Sequence, residues 1–184
     1  MKTSLFRPFL LLAVPFVFTA CKKDKDPAPT DENEVITTVT YTLTPVSGGT
    51  PVTIKYRDPD GDQGSQPGVI TGALALAAGA NYTGTLTVQD ETKSPIGDVT
   101  AEILEKADEH LFVYTVSPAG LLTITRTDKD SKNLAVGLTT SVQARATAGT
   151  GTLNIVLRHQ PGTKDGTATP GSSDVDVSFP VTVQ

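Results

Sequence analysis

The chain has one cysteine among its 184 residues, Cys21. A single thiol excludes an internal disulfide, so stability has to come from a packed core. Positive charge is also scarce. Fifteen Lys and Arg stand against twenty Asp and Glu, for a formal net charge of −5. With no basic stripe, nucleic acid is excluded as the expected partner, and so is direct adhesion of the folded protein to anionic lipid. Only two histidines are present, His110 and His159. Catalytic signatures are missing too: there is no nucleophile elbow, no GxGxxG, no P-loop and no HExxH, so no enzyme is expected. No repeat of solenoid length occurs.

What is present begins with an export signal. Lys2 and Arg7 form a positive start, and residues 8–20 (PFLLLAVPFVFTA) form an apolar run interrupted by Pro15. A membrane-spanning helix needs roughly 18 or more such residues, whereas a shorter run ending in small residues fits a cleaved signal. Phe18-Thr19-Ala20-Cys21 resembles a bacterial lipobox. That resemblance implies diacylglycerol on the Cys21 sulfur, cleavage before it and acylation of the new amine. Two or more acyl chains give lasting anchorage where one is marginal. The alternative is an ordinary secretory signal with an incidental cysteine, which leaves an unpaired thiol in an oxidising compartment.

Residues 22–33 (KKDKDPAPTDEN) carry charge, two prolines and no aliphatic side chain larger than alanine. They cannot bury enough area to offset ordering entropy, so they read as a spacer. KKDKD also resembles the charged surface-export tether of Bacteroidetes lipoproteins, and no Asp follows the cysteine as in an inner-membrane retention signal. The expected division is a signal peptide over 1–20, a lipidated cysteine and tether over 21–33, and one domain over 34–184.

That domain alternates with period 2. Val35, Thr37, Val39, Tyr41 and Leu43 share a face, as do Val52, Ile54 and Tyr56, and then Tyr82, Gly84, Leu86 and Val88. Leu111 to Val116 is apolar on both faces and reads as a central strand. Further strands are expected at 121–127, 136–146, 151–159 and 174–183. In the last, Val175, Val177, Phe179, Val181 and Val183 line one face, and the outward Pro180 suggests an edge or a bulge. Such alternation means half-buried antiparallel sheet. The predicted fold is all-β: an antiparallel Greek-key sandwich, immunoglobulin- or fibronectin-like, of about eight or nine strands with one short helix. Leu76 to Tyr82 resembles the turn into a tyrosine corner; an ordinary strand tyrosine is the alternative. The helix falls within Ser94 to His110. Asp98 or Thr100 caps it, Val99, Ile103 and Ala107 form its buried stripe, and Glu102 and Lys106 are an i,i+4 pair.

Three loops hold candidate sites. Asp58, Asp60 and Asp62 alternate as in a calcium loop, because hard cations favour clustered carboxylate oxygens. Gln63 and Val69 stand where an EF-hand has its glycine and bidentate glutamate, and Asp, Pro and Gly also make an ordinary solvated turn. Asp128-Lys-Asp130-Ser-Lys-Asn133 reads as a turn. Glu109 and His110 follow the helix, where its dipole favours cations rather than acids. His159 continues the inward phase of Leu153, Ile155 and Leu157. If the imidazoles meet, Glu109, His110 and His159 are a transition-metal ligand set; otherwise they are a frayed helix end and a rim histidine.

Glu34-Val-Ile-Thr-Thr-Val, Tyr56-Arg-Asp-Pro-Asp-Gly-Asp62, Tyr82-Thr-Gly-Thr-Leu-Thr, Lys93-Ser-Pro95, Asp108-Glu-His110, Gly137-Leu-Thr, Leu157-Arg-His159 and Phe179-Pro-Val-Thr-Val-Gln184 together resemble a family of small Bacteroidetes outer-membrane lipoproteins. The resemblance implies the periplasmic or cell-surface face of the outer membrane and no established activity. Some members are likened to type 1 periplasmic binding proteins, which have two lobes of alternating strands and helices. One helix among many strands does not fit that architecture. The expected function is therefore a lipid-anchored interaction module whose partner is a protein, a glycan or a receptor-bound nutrient, with the acidic loop after Tyr56 as its surface. The alternative is a metal-binding lipoprotein. No cofactor is expected beyond calcium at the Asp58 loop.

Replacing the thiol tests the anchor. Cys21→Ser is expected to abolish metabolic lipid labelling, and labelling that survives would contradict the lipobox reading.

Overall fold

In the computed structural model, which describes residues 34–61 and 67–184, the alternating segments become strands whose apolar faces meet in one core. The expected signal peptide, Cys21, the tether and Asp62 lie outside the described residues.

One sheet has the order β3 (Val69–Gly72), β2 (Val52–Arg57), β1 (Thr38–Pro45), β5 (Asn81–Asp90), β9 (Thr139–Ala144) and β8 (Leu122–Arg126), with β6 (Gly97–Asp98) also paired to β5. The other has the order β4 (Leu74–Leu76), β11 (Ser172–Val183), β10 (Gly149–His159) and β7 (His110–Ser117). β7 and β10 are neighbours in one sheet while β8 and β9 form a hairpin in the other, which is the Greek-key connection of immunoglobulin strands C to F. The all-β sandwich is as expected.

Several details differ. Eleven strands are described rather than about eight or nine, and the excess lies in the short β3, β4 and β6. One pair is parallel: β4 runs alongside the end of β11. β7 is an edge strand, not a central one. Its doubly apolar sequence has another cause. The β8–β9 connection covers the edge, with Phe112 N–H donating to the Val136 carbonyl at 2.7 Å and Arg126 Nη1 donating to the Phe112 carbonyl at 3.1 Å. Covering an edge removes a pairing template that solvent would otherwise meet. Pro180 faces outward in β11 just before Val181, where pairing with β4 begins.

The tyrosine corner forms. The Ala77 N–H donates to the Tyr82 hydroxyl at 2.8 Å, bracing the crossing from β4 in one sheet to β5 in the other. Gly84 is required on the inner face of β5, since a Cβ there would collide with the Tyr41 hydroxyl and Thr140 Oγ1, which bond to each other at 2.7 Å.

The helix α1 (Val99–Glu105) is capped by Asp98, whose carboxylate accepts the Ala101 N–H, and it buries Val99 and Ile103. Thr100 instead accepts the Val88 N–H at 2.7 Å. The expected Glu102–Lys106 pair does not form. Glu102 lies 3.8 Å from Lys93 and Lys106 lies 4.0 Å from Glu34, because each side chain has a cross-element partner within reach.

Candidate metal site at the end of the second sheet

β7 starts, β10 finishes and β11 starts at the same end of their sheet, as antiparallel neighbours must. His110 opens β7 and His159 closes β10, and the two are directly opposite in register. The imidazoles therefore meet: their centroids are 4.9 Å apart and the planes differ by 6°. Both side chains are buried among core strands.

Two further groups join them. Glu34 precedes β1, and its carboxylate straddles the histidines, with Oε1 3.2 Å from His110 Nε2 and Oε2 4.0 Å from His159 Nδ1. Asp174 arrives through a β-bulge. Leu157 pairs with Val175 and Arg158 pairs with Ser173, so Asp174 is the unpaired extra residue. Strict alternation from Val175 and Val177 would send Asp174 outward with the exposed Asp176; the bulge turns it inward instead. Gly171 allows this approach. It has φ +77°, and a Cβ there would collide with the His159 carbonyl.

Ligand-capable atoms of Glu34, His110, His159 and Asp174 all lie within 4.8 Å of one another. Four ligands around one zinc ion sit roughly 3.4 Å apart, given bonds of about 2.0–2.2 Å. A bound zinc ion would therefore draw these atoms together by up to about 1.4 Å.

The electrostatics are those of an unbalanced cluster. Asp174 is only 7% exposed, and neither of its oxygens meets an N–H or alcohol donor; the group within hydrogen-bond reach is the Glu34 carboxylate. Burial first, and then the neighbouring Glu34 carboxylate, push Asp174 up to about 7. Burial acts to raise Glu34 as well, but contact with His110, the charge of that ring, its own backbone N–H and His159 outweigh it and hold Glu34 at about 2. Burial acts to lower His110, yet Glu34, the Lys106 carbonyl and Asp174 raise it above the ordinary imidazole value. Two carboxylates sharing one site are driven apart in this way.

The nitrogens are also sorted. His110 Nδ1 lies 3.0 Å from the Lys106 carbonyl, which fixes its N–H there and leaves Nε2 facing Glu34. His159 Nε2 points toward Glu109 Oε2 at 3.9 Å, which leaves Nδ1 facing inward. Glu109 thus lies behind His159, beyond hydrogen-bond distance, and is not one of the four converging groups. His110 and His159 are the sequence-predicted residues brought together. Glu34 and Asp174 were not among them. Glu34 lies in a polar lead-in without strand pattern, and only the bulge turns Asp174 inward.

The Asp58 loop is different. Asp58 is buried, its Oδ2 accepts the Tyr56 hydroxyl at 3.3 Å, its N–H donates to the Thr37 carbonyl at 2.7 Å, and its own carbonyl closes a turn with the Gly61 N–H. Asp60 is exposed. Among the described residues these two carboxylates join no group of three potential ligands. The Asp128–Asn133 segment is a turn, as expected: Asp128 accepts the Gly137 and Leu138 N–H groups, and Asp130 accepts those of Lys132 and Leu134.

Compared with known proteins, the chain matches no family model, no curated protein and no solved structure.

The strain in the metal-free cluster has a measurable sign. An acid whose folded value lies above its unfolded value, about 3.9, imposes no penalty below that pH, and the penalty grows as pH rises to about 7. Relative to the native chain, Asp174→Asn should therefore gain up to about 4 kcal/mol between about pH 4 and about pH 8, measured by urea denaturation with a chelator present. A pH-independent difference would contradict this assignment.

Proposed function

We propose that the chain is a lipid-anchored envelope lipoprotein whose sandwich binds a divalent transition metal of the zinc class through Glu34, His110, His159 and Asp174. The observation that carries this reading is the convergence of two inward imidazole nitrogens and two buried carboxylates, with neither Asp174 oxygen meeting an N–H or alcohol donor. Imidazole suits zinc, copper and nickel, whereas calcium takes an all-oxygen shell, so the mixed donor set selects against calcium. Four protein ligands close a tetrahedral site, and catalytic zinc keeps an open position. The reading is therefore a binding protein and not an enzyme. The lipobox at Cys21, the charged tether and the resemblance to Bacteroidetes outer-membrane lipoproteins support the address. Of the two functions expected from sequence, the convergence favours metal binding over a protein- or glycan-binding module at the acidic loop.

Calorimetric titration of the full chain in detergent tests the proposal. Zinc should bind at one site per chain and calcium should produce no heat. His110→Ala should abolish measurable zinc binding, and Glu109→Gln, which removes none of the four converging groups, should retain it. Asp58→Asn should leave it unchanged. Zinc affinity indifferent to His110→Ala would overturn the assignment.

A further inference from the structure

Three corners of the cluster are built into ladders. His110 and His159 face each other across β7 and β10, and Asp174 is held by the bulge of β11 against β10. The fourth corner is not. Glu34 sits in a lead-in of four residues before β1, and the first backbone pairing of the described chain is the Thr37 N–H to the Gln89 carbonyl at 3.0 Å. Thr37 is pinned further, since its hydroxyl donates to the Gln89 carbonyl and accepts the Glu91 N–H. Between Glu34 and Thr37, Ile36 is buried in the core while Val35 is 53% exposed. Upstream of Thr37, residues 34–36 are fastened by one apolar side chain and one carboxylate.

That carboxylate lies against His110, with Lys106 at 4.0 Å and His159 on its other oxygen. It is the negative charge between the two rings, so a cation bound by the rings and Asp174 draws on the same group. Such a cation stabilises whichever arrangement supplies the fourth ligand, in proportion to its differential affinity for the two.

We infer that the bound metal is a latch: it fastens residues 34–36 onto the end of the sandwich, so that metal occupancy controls the docking of the segment that leads into Thr37. This rests on the metal-binding reading above. Through Glu34 the metal site and the docking of residues 34–36 become one thermodynamic unit. By reciprocity, undocking the lead-in weakens metal binding by the same factor that metal removal weakens docking.

Hydrogen exchange read by mass spectrometry on the full chain in detergent tests it, with zinc alone as the probe and calorimetry in parallel. At free zinc about 100 times Kd, exchange of the amides at residues 35 and 36 should slow by up to about 100-fold, following the added binding free energy. Glu34→Gln should remove most of that slowing while zinc still binds, more weakly, through His110, His159 and Asp174. Calorimetric binding through His110 with unchanged exchange at residues 35 and 36 would overturn the latch and leave metal binding standing. Absence of zinc binding in the native chain would overturn both.

Discussion

One extra residue in β11 controls the chemistry of this molecule. Opposite the step from Leu157 to Arg158, the ladder admits Asp174 without a partner and turns its carboxylate from solvent into the sheet end. That places a second acid beside Glu34 and beneath two histidines. Burial and like charge then force the pair apart, one carboxyl held at about 2 and the other pushed up to about 7. Without the bulge, Asp174 would lie outward with Asp176, and Glu34 with His110 would be an ordinary buried ion pair. The bulge converts a structural contact into a vessel for positive charge.

The contrast with a second buried acid in the same fold is instructive. Asp130 accepts two backbone N–H groups on Oδ1 and meets Lys164 Nζ at 2.8 Å, with both side chains fully buried. Lys164 in turn donates to the Ala107 carbonyl. That carboxylate is neutralised by protein, and a buried pair of this kind is costly only when one member is removed. Asp174 has no such arrangement. Asp130 is neutralised by a lysine, whereas the nearest partner of Asp174 is a second carboxylate, and that imbalance, rather than acidity in general, is what a cation would relieve.

Much of this was legible in the chain. Period-2 alternation located the main strands, because a half-buried antiparallel sheet demands it. The Tyr82 corner and the Asp98 cap were readable because each is a local hydrogen bond set by a short spacing. His159 was legible as inward-facing from Leu153, Ile155 and Leu157, so a meeting with His110 followed once β7 and β10 were neighbours. Glu34 and Asp174 were not legible. One lies in a lead-in with no periodicity, and the other breaks the periodicity through a bulge that no local residue announces. β7 was misread as central because cover by a loop and cover by a strand leave the same apolar signature at Leu111 and Phe112. Glu109 lies beside His159 but outside the four converging groups, and sequence proximity alone does not make that distinction.

The central claim is that four named side chains share one ion. Zinc K-edge X-ray absorption of the loaded full chain reads this directly. The account predicts two imidazole nitrogens and two carboxylate oxygens at about 2.0–2.1 Å. In Asp174→Asn, one of those oxygens should be lost from the first shell. A first shell made of water oxygens, or one containing no imidazole scattering, would contradict it.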